Sequence, residues 1–105
     1  MKETIRILYK QVGKPMEVRE VPNELAALQA LVGGYIETVQ VFEDVLLICN
    51  EEGRIRGMKP NPFLGYDFRG DWFLCGVDEE EEAFADIPEG GERFFGLMDG
   101  GSDGK

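Results

Sequence analysis

The chain has 105 residues, 43 % of them hydrophobic, and sets 21 Asp and Glu against 11 Lys and Arg, a formal net charge of −10 with no histidine. The missing histidine removes the side chain that most often moves protons or ligates transition metals near neutral pH. Such acidity disfavours phosphate backbones and anionic lipid surfaces as partners and favours basic protein surfaces, so composition points to binding rather than catalysis.

The length suits one domain with a single core. Ile5, Ile7 and Tyr9 alternate with Arg6, Leu8 and Lys10, which predicts a strand with one wet face. A strand beginning so near Met1 leaves no room for a secretory leader. Gly13-Lys14-Pro15 reads as a turn, and Met16 to Val21 as a hairpin partner with Met16 and Val18 on its apolar side. Asn23 then stands where a helix N-cap belongs, with Glu24 in the first turn and Leu25, Leu28, Leu31 and Val32 on one stripe. Gly33-Gly34 should end that helix, because glycine adopts the left-handed conformation needed just past a helix end.

Tyr35 to Phe42 and Val45 to Cys49 predict two strands joined by a tight Glu43-Asp44 turn. Asn50 to Gly53 turns the chain into a short extended piece, Arg54-Ile55-Arg56. Residues 58–70, with Pro60, Pro62, Gly65 and Gly70, predict a long structured loop. Asp71 to Val77 is almost continuously apolar and predicts a central strand covered on both faces. No run is long and apolar enough to span a membrane. The fold class is therefore α+β, a single small domain whose mostly antiparallel sheet carries one helix.

Residues 77–105 hold ten of the 21 acidic side chains and two of the 11 basic ones, so −8 of the −10 resides there. The chain thus divides into a core, 1–77, and an acidic C-terminal arm with its tail, 78–105. Phe84, Ile87, Phe94, Phe95, Leu97 and Met98 supply apolar surface to dock that arm on the body. A row of carboxylates can solvate a connector, or it can accept charge-assisted hydrogen bonds from the Arg and Lys of a basic protein surface in the manner of a nucleic-acid backbone. On the second reading Asp78, Glu79, Glu80, Glu81, Glu82 and Asp86 are the partner-binding residues. Calcium is disfavoured because no loop alternates acidic ligands about an internal glycine.

An alternative site gathers cations and aromatic rings. Arg54, Arg56, Lys59 and Arg69, with Asn61, Tyr66, Phe63 and Phe68 between them, offer charge for a phosphate and rings for a base. Such a pocket would take a small nucleotide rather than a polymer; the plainer reading has the cations paired with carboxylates and the rings in the core. Nucleophilic chemistry has little to work with: Ser102 is the only serine, and Cys49 and Cys75 lack a histidine to activate them. Those two cysteines read as buried thiols, a disulfide between neighbouring strands being the alternative. With no CxxC pair and no histidine, neither a metal site nor a cofactor is expected.

Leu28-Gln-Ala-Leu-Val-Gly-Gly-Tyr-Ile-Glu37 and Cys49-Asn-Glu-Glu-Gly53, with Gly57 and Asn61, resemble a family of small domains of unknown function common in phages and mobile elements of gut Firmicutes. The resemblance covers about residues 3–78. It departs at Pro62, where relatives carry a basic residue, which weakens any anion-binding role for that position. The family setting implies an anti-defence role. The expected function is a non-enzymatic inhibitor of a Cas9-type CRISPR nuclease in the host cytoplasm, touching neither nucleic acid nor membrane. Sequestration of a nucleotide immune signal is the alternative, and pairing of two copies through an edge strand is open.

Overall fold

Thr4–Lys10 forms β1 and Glu17–Pro22 forms β2, an antiparallel hairpin in which Leu8 faces Val18 and Ile5 faces Val21. The computed structural model describes residues 3–80 and 82–91. Helix α1 (Leu25–Val32) follows, then a second hairpin of β3 (Ile36–Phe42) and β4 (Val45–Asn50), and finally β5 (Trp72–Asp78) and β6 (Ala83–Ala85). The strands order as β2-β1-β5-β4-β3, every pairing antiparallel, with β6 on β5. β5 thus sits between two hairpins formed earlier in the chain. Its apolar run answers that position: Trp72, Phe73, Leu74 and Cys75 have no exposed surface.

Side chains alternate across the sheet, so the two faces bury different residues. One face carries Ile5, Ile7, Tyr9, Ile48, Phe73 and Cys75, and α1 lays Leu28 and Val32 on it. The opposite face carries Leu8, Leu47, Cys49, Trp72 and Leu74, and is covered by Phe63 and Phe68 from the 58–70 segment together with Ile87. That covering is why β1 departs from the expected wet face: Leu8 is buried beneath the loop. Val18, expected on the apolar side of the second strand, is half exposed, and only Val21 of β2 is buried.

The helix begins one residue later than its N-terminal signals suggest. Glu24 is the N-cap and no side chain caps it, while the Asn23 amide group donates to the Phe84 carbonyl at 3.4 Å, tying the helix entry to β6. The other end is as expected. Gly33 is left-handed at φ 82°, and the Gly33 and Gly34 amides both donate to Gln29. Asn50, buried at the end of β4, donates to the Val32 carbonyl, and its side-chain oxygen accepts the Glu52 amide. Those bonds fold residues 51–57 into successive turns, so Arg54-Ile55-Arg56 is a turn and not a strand.

The 58–70 loop is held by Asn61, which is 3 % exposed. Its side chain donates to the Lys10 and Gly70 carbonyls at 3.0 and 2.9 Å, and its own carbonyl accepts the Trp72 indole at 2.6 Å. Phe63 and Phe68 flank that indole, with ring centroids 5.1 and 6.3 Å away. Beyond β5 the described residues stay on the body. β6 pairs Ala83–Ala85 with Gly76–Asp78, Ile87 donates its amide to the Arg6 carbonyl, and its side chain is buried. Phe84 packs beside the α1 face. The apolar positions expected to dock the arm do so at Phe84 and Ile87; Phe94, Phe95, Leu97 and Met98 lie outside the described residues.

Candidate functional site

The sheet has two chemically distinct ends. At one, the β3–β4 turn carries Glu43 and Asp44, and the β5–β6 turn carries Asp78, Glu79, Glu80 and Glu82. Pairing of Leu46 with Cys75 brings the two turns side by side. Between them lies an open groove of about 670 Å³, lined by Glu43, Asp44, Asp78, Glu79 and Glu80 with Val77 and Ala85 at its base. The acidic side chains from 78 to 80 and 82 are exposed. The Asp78 carboxylate accepts the Glu80 amide at 3.1 Å, an Asx turn that shapes the rim of the groove.

Of the expected partner-binding residues, Asp78, Glu79 and Glu80 line the groove, whereas Glu82, although exposed, and Asp86 do not. Glu81 lies outside the described residues. Asp86 turns toward β1, where its carboxylate accepts the Arg6 backbone amide at 2.8 Å; it helps fasten the chain after β6 and is not on the groove. In exchange the structure adds Glu43 and Asp44, which sequence reading treats only as turn residues. Their signal was the register: a hairpin turn beginning just after Phe42 must reach the same end of the sheet as the end of a strand paired to β4.

The cation and aromatic set is at the other end, and most of its members bond to or pack within their own chain. Arg54 and Arg69 both meet the Asp67 carboxylate, at 3.1 and 3.2 Å. Arg69 also reaches the Met58 carbonyl, and Arg56 donates to the Gly33 carbonyl at 3.1 Å, beside the helix C-terminus. Asn61 is buried under the loop, with its side-chain amide engaged by two carbonyls of its own chain. Phe63 and Phe68 are core; Tyr66 is exposed and leans on Phe68 with centroids 5.5 Å apart. Lys59 is exposed and unpaired among the described residues. A shallow cavity of about 290 Å³ does touch Arg54 and Arg69, but it also carries Glu51 and Asp67, and neither Arg56, Lys59 nor Tyr66 lines it.

The two cysteines are free and lie on opposite faces of the sheet, so the disulfide alternative fails on geometry. Burial pushes the Cys75 thiol up to about 12. Burial and the nearby Glu37 carboxylate push Cys49 up to about 11. Tyr9 is raised to about 12 by burial and by Asp71, and its hydroxyl donates to the Leu31 carbonyl at 2.6 Å. Among the described residues no group of three or more Cys, Asp and Glu is arranged to hold a metal ion. None of the described helical segments is long and apolar enough to cross a membrane.

Over the described residues, fold and groove together define a small α+β domain in which helix α1 packs on an antiparallel sheet with an acid-lined end. The chain belongs to a family of domains of unknown function, DUF3846, whose model matches residues 5–98. No curated protein and no solved structure matches the chain.

Proposed function

We propose that the protein is a non-enzymatic binding protein of a phage or mobile element that uses its acid-lined end to occupy a basic surface on a nucleic-acid-handling host enzyme. The nuclease of a Cas9-type defence system is the favoured target. The observation that carries this reading is the meeting of Glu43 and Asp44 with Asp78, Glu79 and Glu80 around one open groove. These carboxylates come from two turns of a rigid sheet, so they present charge at fixed spacing without first ordering a mobile segment. A nuclease channel lined with Arg and Lys for a phosphate backbone would accept such a row as it accepts phosphates. The nucleotide alternative draws less support, because Arg54, Arg56, Arg69 and Asn61 already bond to their own chain.

The test is inhibition of target cleavage by a purified Cas9–guide complex, with binding followed across a salt series. The combined variant Glu43→Gln, Asp44→Asn, Glu79→Gln and Glu80→Gln should weaken binding by about tenfold or more, and the wild-type affinity should fall as salt rises. Asp86→Asn should leave binding alone while lowering the melting temperature. Unaltered inhibition by the fourfold variant would remove the groove from the account. A rise in melting temperature with a cyclic or linear nucleotide would move the function to the other end.

A further inference from the structure

We infer that the outer edge of β3, unpaired among the described residues, is a homodimer interface, in which the β3 strands of two copies pair antiparallel about a two-fold axis through Thr38.

The two sheet edges are built differently. β2, at one edge, alternates charge along Glu17, Arg19 and Glu20 and ends on Pro22, the residues that keep an edge from recruiting another strand. β3, at the other, reads Ile-Glu-Thr-Val-Gln-Val-Phe, with one charge, no lysine and no proline. It has no neighbour on its far side among the described residues. The exposed aromatic side chain of Tyr35 stands just before it.

The backbone pattern fixes which groups are open. The Glu51 amide donates to the Tyr35 carbonyl, so Tyr35, Glu37 and Val39 direct their backbone groups to β4. Ile36, Thr38 and Gln40 therefore direct theirs outward. The irregularity in the β3–β4 ladder falls after Gln40, which leaves 36–40 straight. Pairing Thr38 with Thr38 of a second copy sets Ile36 against Gln40 and Glu37 against Val39. The two Glu37 carboxylates then do not face each other, whereas a slip of one residue toward the N-terminus would oppose them directly.

Charge selects both the occupant and the direction. An antiparallel two-fold arrangement brings the Glu43-Asp44 turn of each copy toward Gly33 of the other, where Arg56 donates to the Gly33 carbonyl and stands exposed. A parallel pairing would instead stack the two acid-lined ends of chains that each carry −10. A second copy is thus complementary to this edge in hydrogen bonds and in charge, and the symmetry makes the contact closed.

Analytical ultracentrifugation of the full chain over the micromolar range tests this. Wild type should sediment at twice the mass of one chain. Because Thr38 faces its own image, Thr38→Lys and Thr38→Glu should each sediment as monomers, and their equimolar mixture should restore the dimer. Thr38 is exposed, so both variants should keep the wild-type melting temperature and the emission of buried Trp72. A monomeric wild type throughout that range would overturn the inference, whether the edge is taken by this chain's own later residues or by a foreign strand. So would a dimer that persists in either variant, or a mixture that stays monomeric.

Discussion

Asn61 shows how one side chain holds a face of the sheet closed. It gives both amide hydrogens to carbonyls on separate segments, while the indole of Trp72 bonds to its backbone. Asn61→Ala leaves two buried carbonyls without donors, and should cost roughly 2–4 kcal/mol of stability, read as a lower denaturant midpoint with red-shifted Trp72 emission. Asn61→Asp should be worse, because it sets a carboxylate against those same carbonyls. A second residue-scale consequence concerns alkali. Cys49, Cys75 and Tyr9 are raised from ordinary values of 9.0, 9.0 and 10.0 to about 11, 12 and 12. Acids whose folded values lie above their unfolded ones contribute stability in full below the unfolded value and lose it as pH rises through the folded one. Stability should therefore be unaffected by these groups up to about pH 9 and decline between 9 and 12, as followed by urea melts. Thiol reagents at pH 8 should label neither cysteine until the protein unfolds.

At the scale of elements, β6 is the least expected piece and the most exposed to a single change. Gly76 lies so close to the segment after β6 that an added Cβ would overlap the Asp86 carbonyl oxygen. Gly76→Ala should push β6 and Ile87 off the body at a cost of about 1–3 kcal/mol, seen as faster amide exchange at Ile87 and in β6 than in β4. Such a strand leaves little mark in a sequence: residues 79–82 are four glutamates, which suit a solvated connector, and its hold on β5 is made by backbone groups that no side-chain pattern reports. The two hairpins and α1 were legible because each carries its own period and its own stop, from Ile5, Ile7 and Tyr9 through the glycine pair at 33–34. Leu8 and Val18 were misplaced for one reason. Their exposure depends on a loop covering the second face over β1 and not over β2, a long-range fact. Arg54-Ile55-Arg56 was read as extended because buried Asn50, which starts the turns, looks from sequence like an ordinary turn residue. For the groove, Asp78 to Glu80 were visible as part of a charge run. Glu43 and Asp44 needed the β4–β5 register, and Asp86 needed the bond to Arg6.

Over the whole molecule, the net charge of −10 is large for 105 residues. The ion pairs of Arg19 with Glu17 and of Arg54 and Arg69 with Asp67 are partly exposed and contribute little each. Repulsion among the surplus carboxylates acts over longer distances, and a Debye length of about 8 Å at 0.15 M salt cuts it off. Moving from low to physiological ionic strength should therefore raise the melting temperature, by calorimetry or Trp72 fluorescence, even as it weakens binding at the groove. The placement of β5 has one more outcome, felt while the polypeptide is being made. The first two hairpins emerge from the ribosome early, yet the sheet joins them by hydrogen bonds only through a strand whose last residue is 78. Until then each offers the nascent chain's surroundings an apolar flank, so a stalled or prematurely ended translation product would be a natural client for chaperones and proteases.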